Sequence, residues 1–498
     1  MELSARALSE LPGVRRQIAR IAADLAAGLH CLWLLPDVLV EGGYAEELHR
    51  VALCSSPDRL DIPAPSELET LAAPPPAPVL EPTGWALDDL PLLEDYDDGF
   101  DIGWEPVLPR QRSVPAPLAG PFEGQESGLL TRLAKELSVA PGEAVDALVD
   151  PDRRWRPVVG VRAWEQPVRS AGSDEPEQER GREVARLIRS LSAAAKQAGL
   201  LPEDRPRLLV TARIDDLPRR LPDELELDLA TSAVHWWWGT LGRLDSATVV
   251  SAVGTDASRT DQRHREVPRD RILRAVRDEV VSEVCGPDPV LGWRLARRWD
   301  GSQGTLEDSL RACLGGIAAP PVPPLTALSG VGSGHRPAVG LRPAWARGLL
   351  QAWDGRSRVH PAVWCGDQSR SDHLGTLVSQ AQARVLLPWI EDTRQRLALH
   401  ALSGATRPVA ELIACYVERP PAGYRTRPQE VFRTIEVGPM LRACRQGHLN
   451  LSVEDRRLLE QLVLARNVLS HRGTLFDRTL RILCDELARA DQRWSGED

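Results

Sequence analysis

The spacing of apolar residues changes once along this chain, and the change falls at a proline-rich stretch. "APPVPPLTALSGVGSGHRP", residues 319–337, has no helical or strand period, so we read it as the main domain boundary. Before it, short apolar runs alternate with amphipathic stretches. "HCLWLLPD", "RPVVGVRAW" and "RPRLLVTARIDDLP" read as buried strands. Residues 13–28, "GYAEELHRVAL", "GLLTRLAKELSV" and "REVARLIRSLSAAAKQAG" read as helices, the last stopped by Gly199. Such alternation predicts an α/β fold, a parallel sheet covered by helices.

After the boundary the period is helical almost throughout. "TLVSQAQARVLLPWIEDTRQRLALHAL", "RPVAELIACYVE", "VGPMLRACRQG", "VEDRRLLEQLVLARNVLSHRG" and "LFDRTLRILCDELARADQRW" predict a bundle of four or five helices. The expected organisation is residues 1–72 and 122–318 as the α/β part, interrupted by a proline- and acid-rich segment at 73–121. Residues 338–498 form the all-α part. A second polar stretch, "SAGSDEPEQERG" at 170–181, reads as a linker, and "EDYDDGFDIGWE" as a solvated acidic segment.

Composition limits the function classes. The net charge of −10 argues against a surface built to coat duplex DNA, though not against a small basic site. The eight cysteines lie far apart, without CxxC or zinc spacing, as in a reduced cytoplasmic protein. No stretch is apolar enough to span a bilayer and the first residues lack signal-peptide order, so no membrane partner is expected. No cofactor is expected either.

Only two lysines occur, Lys135 in "RLAKELS" and Lys196 in "AAAKQAG". A phosphate loop needs glycines around the anion and a lysine reaching it, and Gly42–Gly43 is not followed by Lys-Ser/Thr. The plain reading of this half is therefore an α/β domain with Asp215 and Asp216 on a turn. Its order of strand, loop and helix at "CLWLLPDVLVEGGYAEELHRVAL", with the later strand "RLLVTARIDD" ending in acids, also resembles the inactivated STAND-type P-loop modules of bacterial conflict systems. The resemblance implies a sensor or scaffold without hydrolysis.

"SAVHWWWGTLGRLDSATVVSAV" reads as a helix. Three neighbouring rings on one regular element cannot all face one core. At least one of Trp236, Trp237 and Trp238 is then expected to meet another domain, a partner or a ligand.

In the last third, Arg466, Asn467 and His471 follow a run of leucines at helical spacing. Asn467 and His471 are four apart and share a helix face, with Arg466 at its flank. An imidazole can take a proton from a ribose 2′-hydroxyl, and a guanidinium can hold the charge that grows on the phosphoryl oxygens. The competing reading is helix closure, with cations near the C-terminus and Gly473 as the stop. "RNVLSH" also resembles the Arg-x4-His motif of HEPN domains, with a further helix behind it, over residues 340–498. The resemblance implies that Arg466, Asn467 and His471 are catalytic in a metal-independent endoribonuclease acting on RNA as a homodimer, with Glu391 and Arg394 supporting the cleft. It equally implies a non-catalytic binding or dimerisation module. The two functional expectations are a bacterial defence or stress ribonuclease, and an adaptor in a multi-protein system, with the tryptophan triplet as its partner surface.

Overall fold

A computed structural model of the chain describes residues 3–64, 128–153, 155–166, 181–253, 267–315, 334–365, 371–420 and 427–495. The segment 73–121, its acidic stretch, most of 170–181 and most of 319–337 lie outside the described residues.

Five strands form one parallel sheet: β1 (His30–Leu34), β2 (Arg59–Asp61), β3 (Val158–Arg162), β4 (Arg207–Ala212) and β5 (Ser232–Trp236), in the order β2-β3-β4-β1-β5. The expected α/β class is present. β1 lies between β4 and β5, in register Cys31 with Leu209 and with Ala233. All five of its residues are buried, as are those of β3, because helices cover both faces. Those helices include α1 (Pro12–Ala26), α2 (Tyr44–Leu53) and α3 (Arg182–Gln197). At the end of α3, Gly199 takes φ +65° and the Leu200 N–H reaches the Ala195 carbonyl, so the chain turns back toward β4 as expected. β2 was not anticipated: "RLD" is three residues long, and only Leu60 between two exposed charged residues is apolar and packs on the core.

The helix expected over residues 232–253 is corrected. Residues 232–236 are edge strand β5, and the helix, α4 (Arg243–Ala252), begins only after a turn. Trp237 still donates its N–H to the Leu34 carbonyl at 2.9 Å. Gly239 at φ +67° then reverses the chain. Leaving a regular element in mid-triplet is what lets three neighbouring rings be buried.

The all-helical expectation after the boundary also needs correction. β6 (Leu350–Trp353) and β7 (Arg356–Val359) pair as an antiparallel hairpin. Its turn, Asp354-Gly355, has φ +48° and +76°. That is the two-residue turn favoured by strand twist, and Asp-Gly is its sequence sign.

The remaining described helices include α5 (Pro268–Cys285), α6 (Pro289–Arg298), α7 (Gln303–Leu314), α8 (Ser371–Ala401), α9 (Val437–Arg445), α10 (Val453–Ser470) and α11 (Asp477–Ser495). The helical C-terminal region is thus present. Two apolar clusters divide the chain. One runs from Leu3 to Val249 and includes Trp345, Leu350 and Ala352. The other holds Val250, α5 to α7 and the helices from α8 onward. The change of cluster therefore falls between Val249 and Val250, and the hairpin region packs back on the sheet. No described helix is long and apolar enough to cross a membrane.

The two clusters meet at a buried carboxylate. Glu283 of α5 is 2% exposed. It pairs with Arg243 of α4 at 2.8 Å, Arg384 of α8 at 2.8 Å and Arg358 of β7 at 3.5 Å. Burial would push its acid up, but the Arg384 hydrogen bond and the Arg358 and Arg243 charges outweigh that and hold it low. Glu279 shares Arg243 at 2.7 Å, and Arg243 also lies 4.3 Å from the Trp353 ring centroid. Glu283→Ala would strip the buried carboxylate from Arg358 and leave Arg243 and Arg384 sharing Glu279. We expect a loss of about 3–5 kcal/mol in urea unfolding, the cost of breaking a buried ion pair from one side. Retention of wild-type stability would contradict this account.

Candidate functional site

α10 starts with Ser452, whose side chain accepts the Asp455 N–H at 3.0 Å, and ends at Ser470. Leu458, Leu459, Leu462, Ala465 and Leu469 are buried, which fixes the helix's rotation. His471 is the C-cap and its N–H returns to the Asn467 carbonyl at 3.1 Å. Arg472, not Gly473, takes the left-handed turn, at φ +58°. For a residue with a Cβ this costs about 1–2 kcal/mol. At Gly473 a Cβ would sit tightly, 3.0 Å from Val468 Cγ1 and 3.1 Å from its carbonyl oxygen, so a side chain there would need Val468 to shift by a few tenths of an ångström.

Asn467 and His471 are exposed at this helix end. Neither side chain has a hydrogen-bond or ion-pair partner among the described residues. Leu464, 45% exposed, lies on the same stripe, and Phe476, 72% exposed, lies just beyond the turn. Arg466 is placed differently. Five residues at about 100° each put it about 140° around the axis from His471. It reaches Glu436, just before α9, at 2.9 Å.

Glu391 and Arg394 stand near Arg466. Arg394 is 5% exposed, donates to Glu391 at 2.8 Å, and caps the Arg433 and Ile435 carbonyls at 2.7 and 2.6 Å. Its hydrogen bond is the main reason the Glu391 carboxyl is held low, and the Arg466 charge adds to it. The fold therefore gathers Arg466, Glu436, Glu391 and Arg394 from three helical segments. It pairs Asn467 with His471 on an adjoining exposed face, and puts no contact between His471 and Arg466. Arg394 has an evident structural task, closing the turn before α9. Glu436 was missed by sequence reasoning, because its only signal is a lone acid outside the helix it serves.

At the other end of the molecule, the loop after β1 holds acids where a phosphate loop would hold cations. Asp37 is pushed up to about 6, first by burial and then by Asp215, with Glu41 and Asp216 adding to the effect and Arg213 opposing it. Asp215 and Asp216 lie on a short 3-10 turn after β4, as expected. Arg213 is already taken by Asp216 at 2.8 Å. Gly43 starts α2 at φ +73°, and Lys135 and Lys196 are exposed on distant helices. An anion would be repelled here.

The tryptophan triplet is buried, at 3%, 4% and 8% exposed for Trp236, Trp237 and Trp238. Trp236 meets Trp345 edge-on at 5.1 Å and Trp237 lies 6.1 Å from Trp33. The Trp345 indole donates to the Trp237 carbonyl at 2.8 Å. The Trp236 ring and the Trp237 carbonyl thus meet Trp345, which lies in the part of the chain read from sequence as the second domain, one of the alternatives the triplet left open, and all three rings are buried. A further arrangement has the order of a hydroxyl, imidazole and carboxylate relay: Thr211 Oγ1 is 2.8 Å from His49 Nδ1, and His49 Nε2 is 3.4 Å from Asp61. Thr211 is 0% exposed on a central strand, so its hydroxyl meets no substrate.

No protein-family model, curated protein or solved structure matches this chain.

The raised acid at Asp37 gives a pH-dependent expectation. Unfolded, the group ionises near 3.8; folded, near 6. Its stabilising share is complete below the lower value and is lost as pH rises through the upper one. Asp37→Asn is therefore expected to raise stability by about 1–2 kcal/mol above pH 7, after discounting for solvent screening, and by almost nothing at pH 4. Thermal melting across this range checks it, and an increment that grows toward acid pH would refute the assignment.

Proposed function

We propose that the C-terminal helices form a metal-independent endoribonuclease whose cleft is completed by a second copy of the chain. The α/β part serves as a sensor or scaffold. The observation that carries this reading is the pair Asn467 and His471, exposed and unpartnered among the described residues, with Arg466 on the same helix but turned toward Glu436.

In this reading the imidazole takes the proton of a ribose 2′-hydroxyl. The resulting alkoxide forms a bond to the adjacent phosphorus, and the bond from phosphorus to the 5′-oxygen breaks. The products are a 2′,3′-cyclic phosphate and a 5′-hydroxyl, whose proton comes from the imidazole of the second copy. Arg466 holds the phosphoryl oxygens and Asn467 orients the phosphate. His471 and Arg466 diverge around α10, so one copy alone does not converge them on one phosphate. Leu464 and Phe476 offer apolar surface on which a second α10 can pack.

One observation favours a second reading, a binding or adaptor module. Arg466 is already neutralised by Glu436, and Glu391 is close by. A phosphate must compete with both.

The test is full-length protein with RNA in EDTA. Cleavage leaving cyclic phosphate ends is expected, and His471→Ala and Arg466→Ala are each expected to lower the rate at least 100-fold, within the usual range for a lost acid–base group. His471→Ala should leave the melting temperature unchanged because the ring is exposed. Arg394→Ala, by contrast, should lower the melting temperature, since two buried carbonyls lose their donor. If wild type and His471→Ala leave RNA equally intact, the adaptor reading stands and the catalytic one falls.

A further inference from the structure

On α10 and α11 the arginines lie against acids, except at the end where the two helices meet. Arg456 faces Glu460 at 3.7 Å, and Arg457 and Arg489 share the buried Glu486 at 3.1 Å each. Arg466 meets Glu436 and Arg493 meets Asp455, both at 2.9 Å. Arg472 in the turn, and Arg478 and Arg481 on α11, are exposed, and their side chains have no ion-pair or hydrogen-bond partner among the described residues. The three come directly after His471, in a chain whose net charge is −10.

The fold gains little from them. Arg472 holds the left-handed conformation, at φ +58°, which a residue with a Cβ adopts only at a cost. The end of the α10 dipole favours its charge, but the start of α11 disfavours that of Arg478, the second residue of that helix. The nearby acids are otherwise engaged. Asp477 accepts the Ser302 hydroxyl at 2.7 Å and the Gln303 N–H at 3.1 Å. Asp485, one turn beyond Arg481 on the same side of α11, is held by Arg269 at 3.2 Å.

The turn that carries this charge is anchored from behind. The Gly473 carbonyl accepts the Ser379 hydroxyl at 2.8 Å. Gln382, 1% exposed, takes the Leu475 N–H at 2.8 Å and donates to the Leu475 carbonyl at 2.9 Å, and Gln303 donates to that carbonyl too. These side chains come from α7 and α8. Arg478 and Arg481 are three apart, so they share a face of α11 with about 5–6 Å between their Cβ atoms. Arg481 also lines a cavity of about 260 Å³, together with Arg274 and Arg277 of α5. Of the described lining residues only Asp300 is acidic, and its carboxylate already accepts the Ser302 N–H at 2.9 Å and the Thr305 hydroxyl at 2.8 Å. Positive charge therefore continues from the turn after His471 along α11 to that cavity.

We propose that this face carries the phosphates of a single-stranded RNA on its way from the His471 site, with Arg472, Arg478 and Arg481 each against one phosphate. The choice of RNA rests on the ribonuclease reading above. Three unpaired guanidinium groups in a row match a row of phosphate charges. The strand is single because the attacking 2′-oxygen must come into line with the departing 5′-oxygen, and a ribose stacked in a paired helix holds the two out of line.

The experiment uses the full chain and a labelled 2′-O-methyl oligonucleotide of about ten nucleotides, within the span of single-strand sites. It has no attacking hydroxyl, so fluorescence anisotropy reads binding without cleavage. Each phosphate contact to a single strand adds about −0.7 to the slope of log affinity against log salt. Arg472→Gln, Arg478→Gln and Arg481→Gln together are expected to make that slope shallower by about 2, and to weaken binding about tenfold or more at low salt. Arg50→Gln, Arg189→Gln and Arg311→Gln together change the net charge equally, at exposed arginines already paired with Glu47, Glu224 and Glu307, each at 2.7 Å. That triple should keep the wild-type slope. Melting curves confirm that both variants are folded. The proposal is overturned if wild type does not bind the strand, if the first triple keeps the wild-type slope, if the second triple lowers it as much, or if the strand annealed to its complement binds as tightly. Cleavage is scored apart. RNA cutting by wild type, with the first triple binding as wild type does, keeps the ribonuclease and removes the phosphate track. The expected slope change without any His471-dependent cutting keeps the track and removes the ribonuclease.

Discussion

A carboxylate removed from water inside an array of arginines ties the structure together. Glu283 belongs to α5, whose apolar side is shared with the bundle, yet its three partners come from the first helix after the sheet, from the hairpin and from α8. Leaving water costs several kcal/mol for each ion, so such a group persists only where every partner is held in place. Arg243 is held by Glu279 and by the Asp354 carboxylate at 3.2 Å, and stacks on Trp353. The relative placement of the sheet's cluster and the helical cluster is therefore written in polar geometry as well as in apolar packing. A rotation between them would strand at least one buried charge.

Much of the fold was legible because each element carries its own period. Continuous apolar runs at "HCLWL" and "RLLVTA" mark strands buried on both faces, and Gly199 marks the end of α3. Of the elements that were not read, three failed for different physical reasons. β2 offers a single apolar residue, the partly buried Leu60, and pairs along one edge only. The hairpin did carry a local sign, Asp354-Gly355, which the helical reading of its surroundings masked. "SAVHWWWGTL" has enough apolar residues for either element; what decides is Gly239, where the chain turns at positive φ. The rule that three consecutive rings cannot share a core holds only within one regular element, and the chain leaves β5 at the first ring.

The candidate site was legible to the extent that it lies within one helix. Asn467 and His471 fall together because four residues make about one turn. Arg466 does not join them, since the same arithmetic carries it toward Glu436. The placement of Glu391 and Arg394 near Arg466 depends on how α8 crosses α10, which no local pattern encodes. A cavity of about 270 Å³ beyond the carboxyl ends of β1 and β5 was illegible for a stronger version of that reason. Its polar groups, Asp288, Gln351 and His360, are separated by up to 72 residues, and none stands in a motif.

The carboxyl ends of the strands carry two contrasting environments. Between β1 and β4 the acids Asp37, Asp215 and Asp216 crowd together, enough to push one of them toward neutrality. Beside β5 the lining of the cavity is mostly apolar, with Asp288, Arg294, Arg358 and His360 among it. The two walls of the apolar side belong to different clusters: Trp237 to the sheet's, and Cys285 to the bundle's. Cys285 ends α5, two residues beyond Glu283. Whatever occupies the cavity thus presses on the same helix that anchors the arginine array. Occupancy can favour one placement of the bundle only through contacts that differ between placements, and the α5 end of the cavity is where such contacts are made.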